Sequence, residues 1–305
     1  MIPLRIENQN HYNLIKGDVK VKITYTKEEV DFYLFDLETK FSKIDKTKYM
    51  LSYSGGKDSH LLYWFIKEYM KDSEIEIVGI NTRMEHPEIV RRIIDNCDTV
   101  LLPELKPQEI YEKYGKPCFS KTHDQYIYYF QRGSSAPSVN DYIYGIGKNE
   151  FSRFKLPKYA REKLLNGELP RISNKCCKYL KKEPARKYAK KTGKHWIIGT
   201  RAEESLMRKR AYKGCFHKNG NFTPIWDLTE EMEEAIYFYY KIDIPAIYNV
   251  LTRTGCTGCP YGRSVEKELQ TLSDNQYRYV LSLFKDVYDA KGINYERDGI
   301  DERTT

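Results

Sequence analysis

Lys48-Tyr49-Met50-Leu51-Ser52-Tyr53 runs straight into Ser54-Gly55-Gly56-Lys57-Asp58-Ser59, and this junction decides the fold. The first six residues read as a short buried strand. The next six form a tight turn. Asp58 to Met70 then reads as a helix, with Leu61, Leu62, Trp64, Phe65 and Tyr69 at helical spacing. Further on, Ile75 to Ile80 is a second strand, Pro87 opens a helix at its tolerated first-turn position, and Thr99 to Leu102 is a third strand. This alternation predicts an α/β fold, a doubly wound and mostly parallel sheet with helices on both faces. Right-handed crossovers place the strand C-terminal ends on one rim, and ligands of such sheets bind outside that rim.

The flanks extend the pattern. Residues 1–45 form a charged N-terminal extension, in which Val19 to Tyr25 alternates like an edge strand. Thr26-Lys27-Glu28-Glu29 looks like the start of an amphipathic helix reaching about Ile44. Residues 105–170 are mostly helical, interrupted by the turn-rich stretch Gly133 to Ser138. Glu183 to Lys191 is a basic helix, His195 to Gly199 a short strand and Glu230 to Lys241 a helix. A cysteine loop at 255–262 precedes a helical tail to about Lys291. Three parts are expected: an extension (1–45), a nucleotide-binding domain with a cysteine cluster (46–262) and a helical C-terminal region (263–305).

Composition narrows the class. With 305 residues and 40% hydrophobic content, the chain can bury a substantial core. Met1 to Glu7 lacks a basic stretch followed by an apolar run, and no apolar segment approaches the roughly 18 residues of a membrane span. A cytoplasmic protein with no membrane partner is expected. Seven cysteines, an odd number, argue against a disulfide framework and for metal binding or catalysis. Net charge is +8, but 15 Lys and Arg face three Glu between Arg171 and Lys213, leaving a remainder of −4. A charge run is commonly a solvated helix face. Its position between two other candidate sites favours an anionic partner here, a nucleic acid at the basic 171–213 segment.

Ser-Gly-Gly-Lys-Asp-Ser between a strand and a helix suits a phosphate. Two glycines let the backbone approach an anion, and the free amides and dipole of the helix start supply a site without side chains. Ser54 and Ser59 add hydroxyl donors and Lys57 adds charge; Asp58 caps the helix or holds a magnesium ion. A bare Gly-Gly turn would be an ordinary connection, and this six-residue pattern is more specific. It differs from the loop of the common ATPases and does not imply γ-phosphate cleavage.

Cys176-Cys177 and Cys256-x-x-Cys259 supply four thiolates, which suit zinc or an iron–sulfur cluster. Simple burial, a structural zinc or a redox disulfide at 256/259 would also account for them. Cys97 and Cys118 read as structural. Ile198 to Ser205 again reads strand, tight turn, helix start, and Arg201 could fork onto a phosphate.

The Ser54–Ser59 loop resembles the pyrophosphatase (PP) loop of the superfamily containing phosphoadenosine phosphosulfate (PAPS) reductases, ATP sulfurylases and tRNA thiolation enzymes. Gly199-Thr200-Arg201 to Ser205 is similar to the Gly-x-Arg-x-x-x-Ser signature of PAPS reductases. Asn81 to Glu88 resembles their Asp-Thr-Gly-x-x-Phe-Pro-Glu segment, departing at Asn81 and Arg83. Lys116 to Lys121 resembles phage and prophage relatives, and the likeness covers about residues 47–262.

The resemblance implies a Rossmann-like adenine nucleotide alpha-hydrolase fold. The nucleotide, ATP or an adenylyl sulfate, would be held by Ser54, Gly55, Gly56, Lys57, Asp58, Ser59, Thr82, Gly199, Arg201 and Ser205. Mg2+ would accompany it, and Lys57, Asp58 and Arg201 would act in catalysis. Adenylyl sulfate reductases carry a Cys-Cys pair and a later Cys-x-x-Cys that together bind a [4Fe-4S] cluster; Cys176, Cys177, Cys256 and Cys259 match in order. Such reductases also need a nucleophilic cysteine near the C-terminus, and no cysteine follows Cys259. Cys215 is the internal candidate for that role or for a sulfur relay.

Three functions follow. The first is ATP-dependent, pyrophosphate-releasing sulfur transfer to a nucleic acid or small acceptor, with a cysteine desulfurase as partner. The second is a sulfonucleotide reductase using thioredoxin. The third is a non-enzymatic nucleotide-binding or redox-sensing module. Tyr126, Tyr128, Tyr129 and Phe130, like Tyr237 to Tyr240, could stack on bases, though a helix core with polar rims explains both clusters more simply.

Overall fold

The computed structural model describes residues 13–16, 19–146, 155–211 and 213–297; both chain ends, including Asp301 to Thr305, lie outside them. Strands β1 (Asn13–Lys16) and β2 (Val19–Lys22) pair antiparallel. Helix α1 (Lys27–Phe41) starts as the sequence predicts. Thr26 caps it, and Glu29 reaches back to the Thr26 amide at 2.7 Å, closing a capping box. Its buried face is Val30, Leu34, Leu37 and Phe41, one stripe at helical spacing.

The central sheet has four strands, β3 (Tyr49–Tyr53), β4 (Glu76–Ile80), β5 (Thr99–Leu101) and β6 (His195–Ile198), in the order β5-β4-β3-β6. Strands β4 and β6 both run parallel to β3, with Leu51 opposite Ile77 on one side and Ile197 on the other. Helix α2 (Lys57–Trp64) follows β3 and continues through a π-turn at Phe65–Tyr69, covering the span read from its apolar periodicity. Helix α3 (Pro87–Asn96) joins β4 to β5. The parallel four-stranded sheet with flanking helices is the α/β fold expected.

Strand order positions the site. The chain leaves β3 toward β4 and β5, then returns on the other side of β3 as β6. Order therefore reverses between β3 and β6, and open α/β sheets take ligands beyond the C-terminal ends of strands at such a reversal. The turns after these two strands are the Ser54 loop and the Gly199–Arg201 segment.

The remaining helices are α4 (Pro107–Tyr114), α5 (Lys121–Gln131), α6 (Pro137–Tyr144), α7 (Lys158–Leu165), α8 (Glu183–Thr192), α9 (Leu206–Ala211), α10 (Glu230–Tyr239), α11 (Val265–Thr271) and α12 (Asp274–Lys291). The chain forms two compact units from interleaved stretches. The first comprises residues 1–79, 88–100 and 189–252, and the second 80–87, 101–188 and 253–305.

The first unit has its own core, in which Leu51, Ile77 and Ile197 of the sheet meet Leu34, Leu61 and Phe65. The Phe41 ring lies 5.5 Å from Phe65 and 5.3 Å from Phe222. The second unit is helical, with Ile110, Ile127, Ile143, Leu164, Leu283 and Phe284 at its centre. No described helix is long and apolar enough to cross a membrane.

The basic run read from the sequence divides between the units at residue 188. Many of its cations are paired: Lys178 and Arg186 with Glu183, Lys194 with Glu76 at 3.0 Å, and Arg208 with Glu204.

Candidate functional site

In the first unit the phosphate loop is a braced turn. Gly55 has φ +73°, and a Cβ there would stand 2.9 Å from Ile89 Cγ2, so only glycine fits. Ser59 Oγ donates to the Gly56 carbonyl at 2.9 Å and accepts from the Ser54 amide at 3.1 Å and the Ser54 hydroxyl at 3.0 Å. That uses the single proton and both lone pairs of Ser59. The two hydroxyls thus shape the loop from within.

The Lys57 amide also turns inward, donating to Tyr248 Oη at 3.1 Å, while Tyr237 Oη donates to the Lys57 carbonyl at 2.8 Å. Helix α2 starts at Gly56 with no side-chain cap. Among the described residues, no acceptor stands against the amides of Gly55, Gly56 and Asp58. These are the groups a phosphate would take.

The segment after β6 lies on this turn. A Cβ at Gly199 would meet the Asp58 carbonyl carbon and oxygen at 3.0 Å and the Ser59 nitrogen at 3.1 Å. That close approach explains the second glycine of the pair of motifs. Two residues on, Arg201 Nε donates to Asp58 Oδ1 at 2.5 Å and Nη2 pairs with Glu233 Oε2 at 3.3 Å. Asp58 lies in the first turn of α2 without capping it, and its Oδ1 holds the guanidinium. Burial works against the Arg201 charge, but Glu233 and Asp58 hold it on. Ser205 caps the start of α9, accepting from the Arg208 amide at 3.2 Å.

Glu233, on α10, is 1% exposed, and its Oε1 has no hydrogen-bond partner. Burial, then the Asp58 charge, push its carboxyl up to about 8 against the pull of Arg201 and Lys57. Near neutral pH it carries a proton. Lys57 and Arg201 are then offset by one carboxylate fewer, which favours an anion.

The four paired cysteines all belong to the second unit, and all are free thiols. The Cys176 thiol hydrogen-bonds Cys177, which lowers Cys177 to about 6, helped by the ammonium groups of Lys121, Lys181 and Lys182. The same bond, with burial, raises Cys176. Burial raises Cys256, and pushes Cys259 up to about 12. Cys176, Cys256 and Cys259 each feel the charge of at least one of the others, and Cys177 is linked to them through its bond with Cys176. Yet among the described residues no three or more His, Cys, Asp or Glu side chains close on a single point as one metal ion requires.

Thr82 lies here, fully buried. Its hydroxyl donates to Glu85 at 2.7 Å and stands 4.0 Å from Cys256 Sγ, and its amide donates to Glu85 at 2.9 Å. Lys181 sits 3.5 Å from Glu85; burial opposes its charge, but Cys256 and Glu85 hold it on. The Thr257 amide donates to the Met84 carbonyl at 2.5 Å, and Tyr288 donates to the Gly258 carbonyl.

Cys215 belongs to the first unit, beside Lys40, Asp227 and Trp226. Burial raises its thiol, the wrong direction for an attacking thiolate. Cys97 and Cys118 are likewise raised, Cys97 to about 12.

Sequence reasoning missed Glu233, Tyr237 and Tyr248 at the loop, and Glu85 and Lys181 beside the thiols. A signal existed for the first. Glu233 sits three and four residues before the buried Ile236 and Tyr237, so helical periodicity places a carboxylate on an apolar face.

No protein family's sequence profile matches this chain, and no curated protein matches it. Among solved structures it is similar to the NH3-dependent NAD synthetase from Campylobacter jejuni subsp. jejuni, at 14% identity and TM-score 0.36, over 89% of this chain and 98% of that one. It is similar to the U34-tRNA thiolase NcsA from Methanococcus maripaludis, solved with its [4Fe-4S] cluster, at 14% identity and TM-score 0.34, over 100% of this chain and 94% of that one. Likenesses of this strength carry no argument about what the chain does, and the α/β assignment stands on its own strand order.

Proposed function

We propose that the chain is a PP-loop enzyme of the PAPS reductase-like kind that binds ATP at the Ser54–Ser59 turn and adenylates an acceptor, releasing pyrophosphate, before sulfur replaces the activated oxygen. The observation that carries this reading is the set of open amides at Gly55, Gly56 and Asp58 on the reversal of strand order, with Arg201 fixed beside them by Asp58 and Glu233. Backbone amides and a held guanidinium suit a phosphate chain whose charge grows as a bond breaks.

In the first step an acceptor oxygen attacks the α-phosphorus. The bond from that phosphorus to the bridging oxygen breaks, and pyrophosphate leaves with the electron pair. In the second, a sulfide-level sulfur attacks the activated centre and AMP departs with the original oxygen. No oxidant is consumed. Lys57 and the loop amides hold the leaving pyrophosphate, and Arg201 steadies charge at the α-phosphate. Mg2+ would neutralise the phosphate chain further.

Cys176, Cys177, Cys256 and Cys259 would hold a [4Fe-4S] cluster. Tetrahedral zinc needs its sulfurs about 3.8 Å apart around one point. A cluster places each thiolate on a separate iron, which suits thiols that influence one another without closing on one centre. Such a cluster supplies a soft, sulfur-binding iron surface.

The test is pyrophosphate release from ATP by anaerobically purified protein offered candidate nucleic acids and small nucleophiles, with sulfide or a cysteine desulfurase as sulfur source. Release is expected from the wild type and lost in Lys57→Ala. Orthophosphate as the only product would reject the reading. Iron analysis and an absorbance band near about 400 nm, both lost in Cys256→Ser while ATP still binds, test the cluster separately.

A further inference from the structure

The second unit carries a strip of tyrosine rings interleaved with cations. Tyr114, at the end of α4, stacks on Tyr179 with centroids 4.5 Å apart and planes 11° apart. Lys113 and Lys178 stand 5.4 and 5.0 Å from these two rings. Tyr128 on α5 has Lys175 at 5.1 Å and Arg132 at 4.6 Å from its centroid, and Tyr129, at its edge, is 36% exposed.

The two groups are one surface. The amides of Lys178 and Tyr179 both donate to the Lys175 carbonyl, so Lys175, Lys178 and Tyr179 share a helical turn, and Lys175 Nζ stands over the Tyr128 ring. Asn174 donates to the Lys121 carbonyl at 3.0 Å, tying this turn to the start of α5. Cys177 lies in the same turn. Glu183 is the acid paired there, with Lys178 at 3.8 Å and Arg186 at 3.5 Å.

We infer that this strip of rings and cations is a binding platform for single-stranded nucleic acid, and that it selects the acceptor of the proposed reaction. Half-buried rings on helices are rigid faces on which unpaired bases stack whatever their identity. Cations on flexible stems meet the phosphates between bases. Exposed cation–ring pairs are weak, so a base can take a ring face while the ammonium swings to the neighbouring phosphate at little cost. A duplex hides its base faces and can use only the charge. An acidic protein could use the charge too, but gains nothing from the ring faces.

The inference rests on the functional reading above only for the word acceptor, and its test is independent of ATP. Labelled oligonucleotides of about 16 nucleotides, ribo and deoxy, single-stranded and duplex, are titrated with the full chain at several salt concentrations, with fluorescence anisotropy as readout. Single strands should bind better than duplex. Four cations on the strip predict a slope of log affinity on log salt of about −3. Tyr128→Ala should weaken single-strand binding about tenfold without changing the slope, and Tyr128→Phe should bind like the wild type. Lys175→Gln should flatten the slope by about 0.7. Whichever sugar binds more tightly names the acceptor. Tyr128→Ala should keep the wild-type thermal unfolding profile, which shows that the variant is folded. Equal affinity for duplex and single strand, no binding at low salt, or a neutral Tyr128→Ala would overturn the inference. Pyrophosphate release can fail while strand binding survives, and the reverse, so the two readings fail separately.

Discussion

Replacing Glu233 by Gln should make stability less sensitive to pH, because the buried carboxyl resists ionisation. Its pKa moves from an ordinary 4.5 to about 8 in the folded chain, with burial as the largest cause. Below about 4.5 the group is protonated in both states and contributes no pH dependence. Between 4.5 and 8 the unfolded chain gives up its proton and the folded chain does not. The unfolded state then binds fewer protons, so stability falls by about 1.4 kcal/mol per pH unit. The loss levels off above about 8, where both states are ionised, at a total of about 5 kcal/mol. Gln keeps the shape and cannot ionise, so it removes this slope. Its amide oxygen can still accept from Arg201 and its NH2 can still donate to Asp58, so little is lost at low pH. For a chain of 305 residues the slope corresponds to about 2 °C in Tm per pH unit. Thermal unfolding of wild type and Glu233→Gln is compared every half unit from pH 5 to 9. The wild-type Tm should fall relative to the variant from pH 5 to about 8 and run parallel to it from there to pH 9. Parallel curves throughout would refute the argument, because Glu233 would then titrate alike folded and unfolded.

Three further outcomes are expected. Arg201→Lys keeps the charge but loses the fork that reaches Asp58 at 2.5 Å and Glu233 at 3.3 Å, so pyrophosphate release should fall about 10- to 100-fold, measured by steady-state kinetics. Gly55→Ala forces a side chain into φ +73° and to 2.9 Å from Ile89, and should cost about 1–3 kcal/mol in denaturant unfolding while weakening ATP binding in calorimetry. Asp124→Ala strips acceptors from the Cys118 amide at 2.6 Å, the Phe119 amide at 3.0 Å and Tyr261 Oη at 2.7 Å; it should destabilise the second unit by about 3 kcal/mol or more, seen as lost amide-exchange protection around residues 118–124.

Much of the fold was legible locally. The Leu51 strand, the Gly-Gly turn and the apolar stripe from Leu61 to Tyr69 follow from period-two and period-3.6 patterns within one stretch of chain. The box at Thr26 and Glu29 was readable for the same reason, since its partners lie three residues apart. The aromatic clusters divided. Tyr237 is a core residue that braces the loop, as the simpler reading of that cluster has it, whereas Tyr128 and Tyr129 stand at the surface among cations. Periodicity alone cannot tell these cases apart, because both clusters lie on amphipathic helices and differ only in what covers them.

By itself the sequence determined a strand, a glycine turn and a helix in that order, four thiols in two pairs, and an arginine after a late strand. Backbone sterics and side-chain period act over a few residues, so these features need no knowledge of distant partners. Only the tertiary structure decided that Ser54 and Ser59 face inward, that Tyr248 takes the Lys57 amide from 191 residues away, and that Glu233 is buried against Arg201 and Asp58. It also decided that the thiols and the phosphate loop belong to different compact units. Each of these depends on which distant segments exclude water from one another, and burial is what turns an unremarkable glutamate into a proton-holding group.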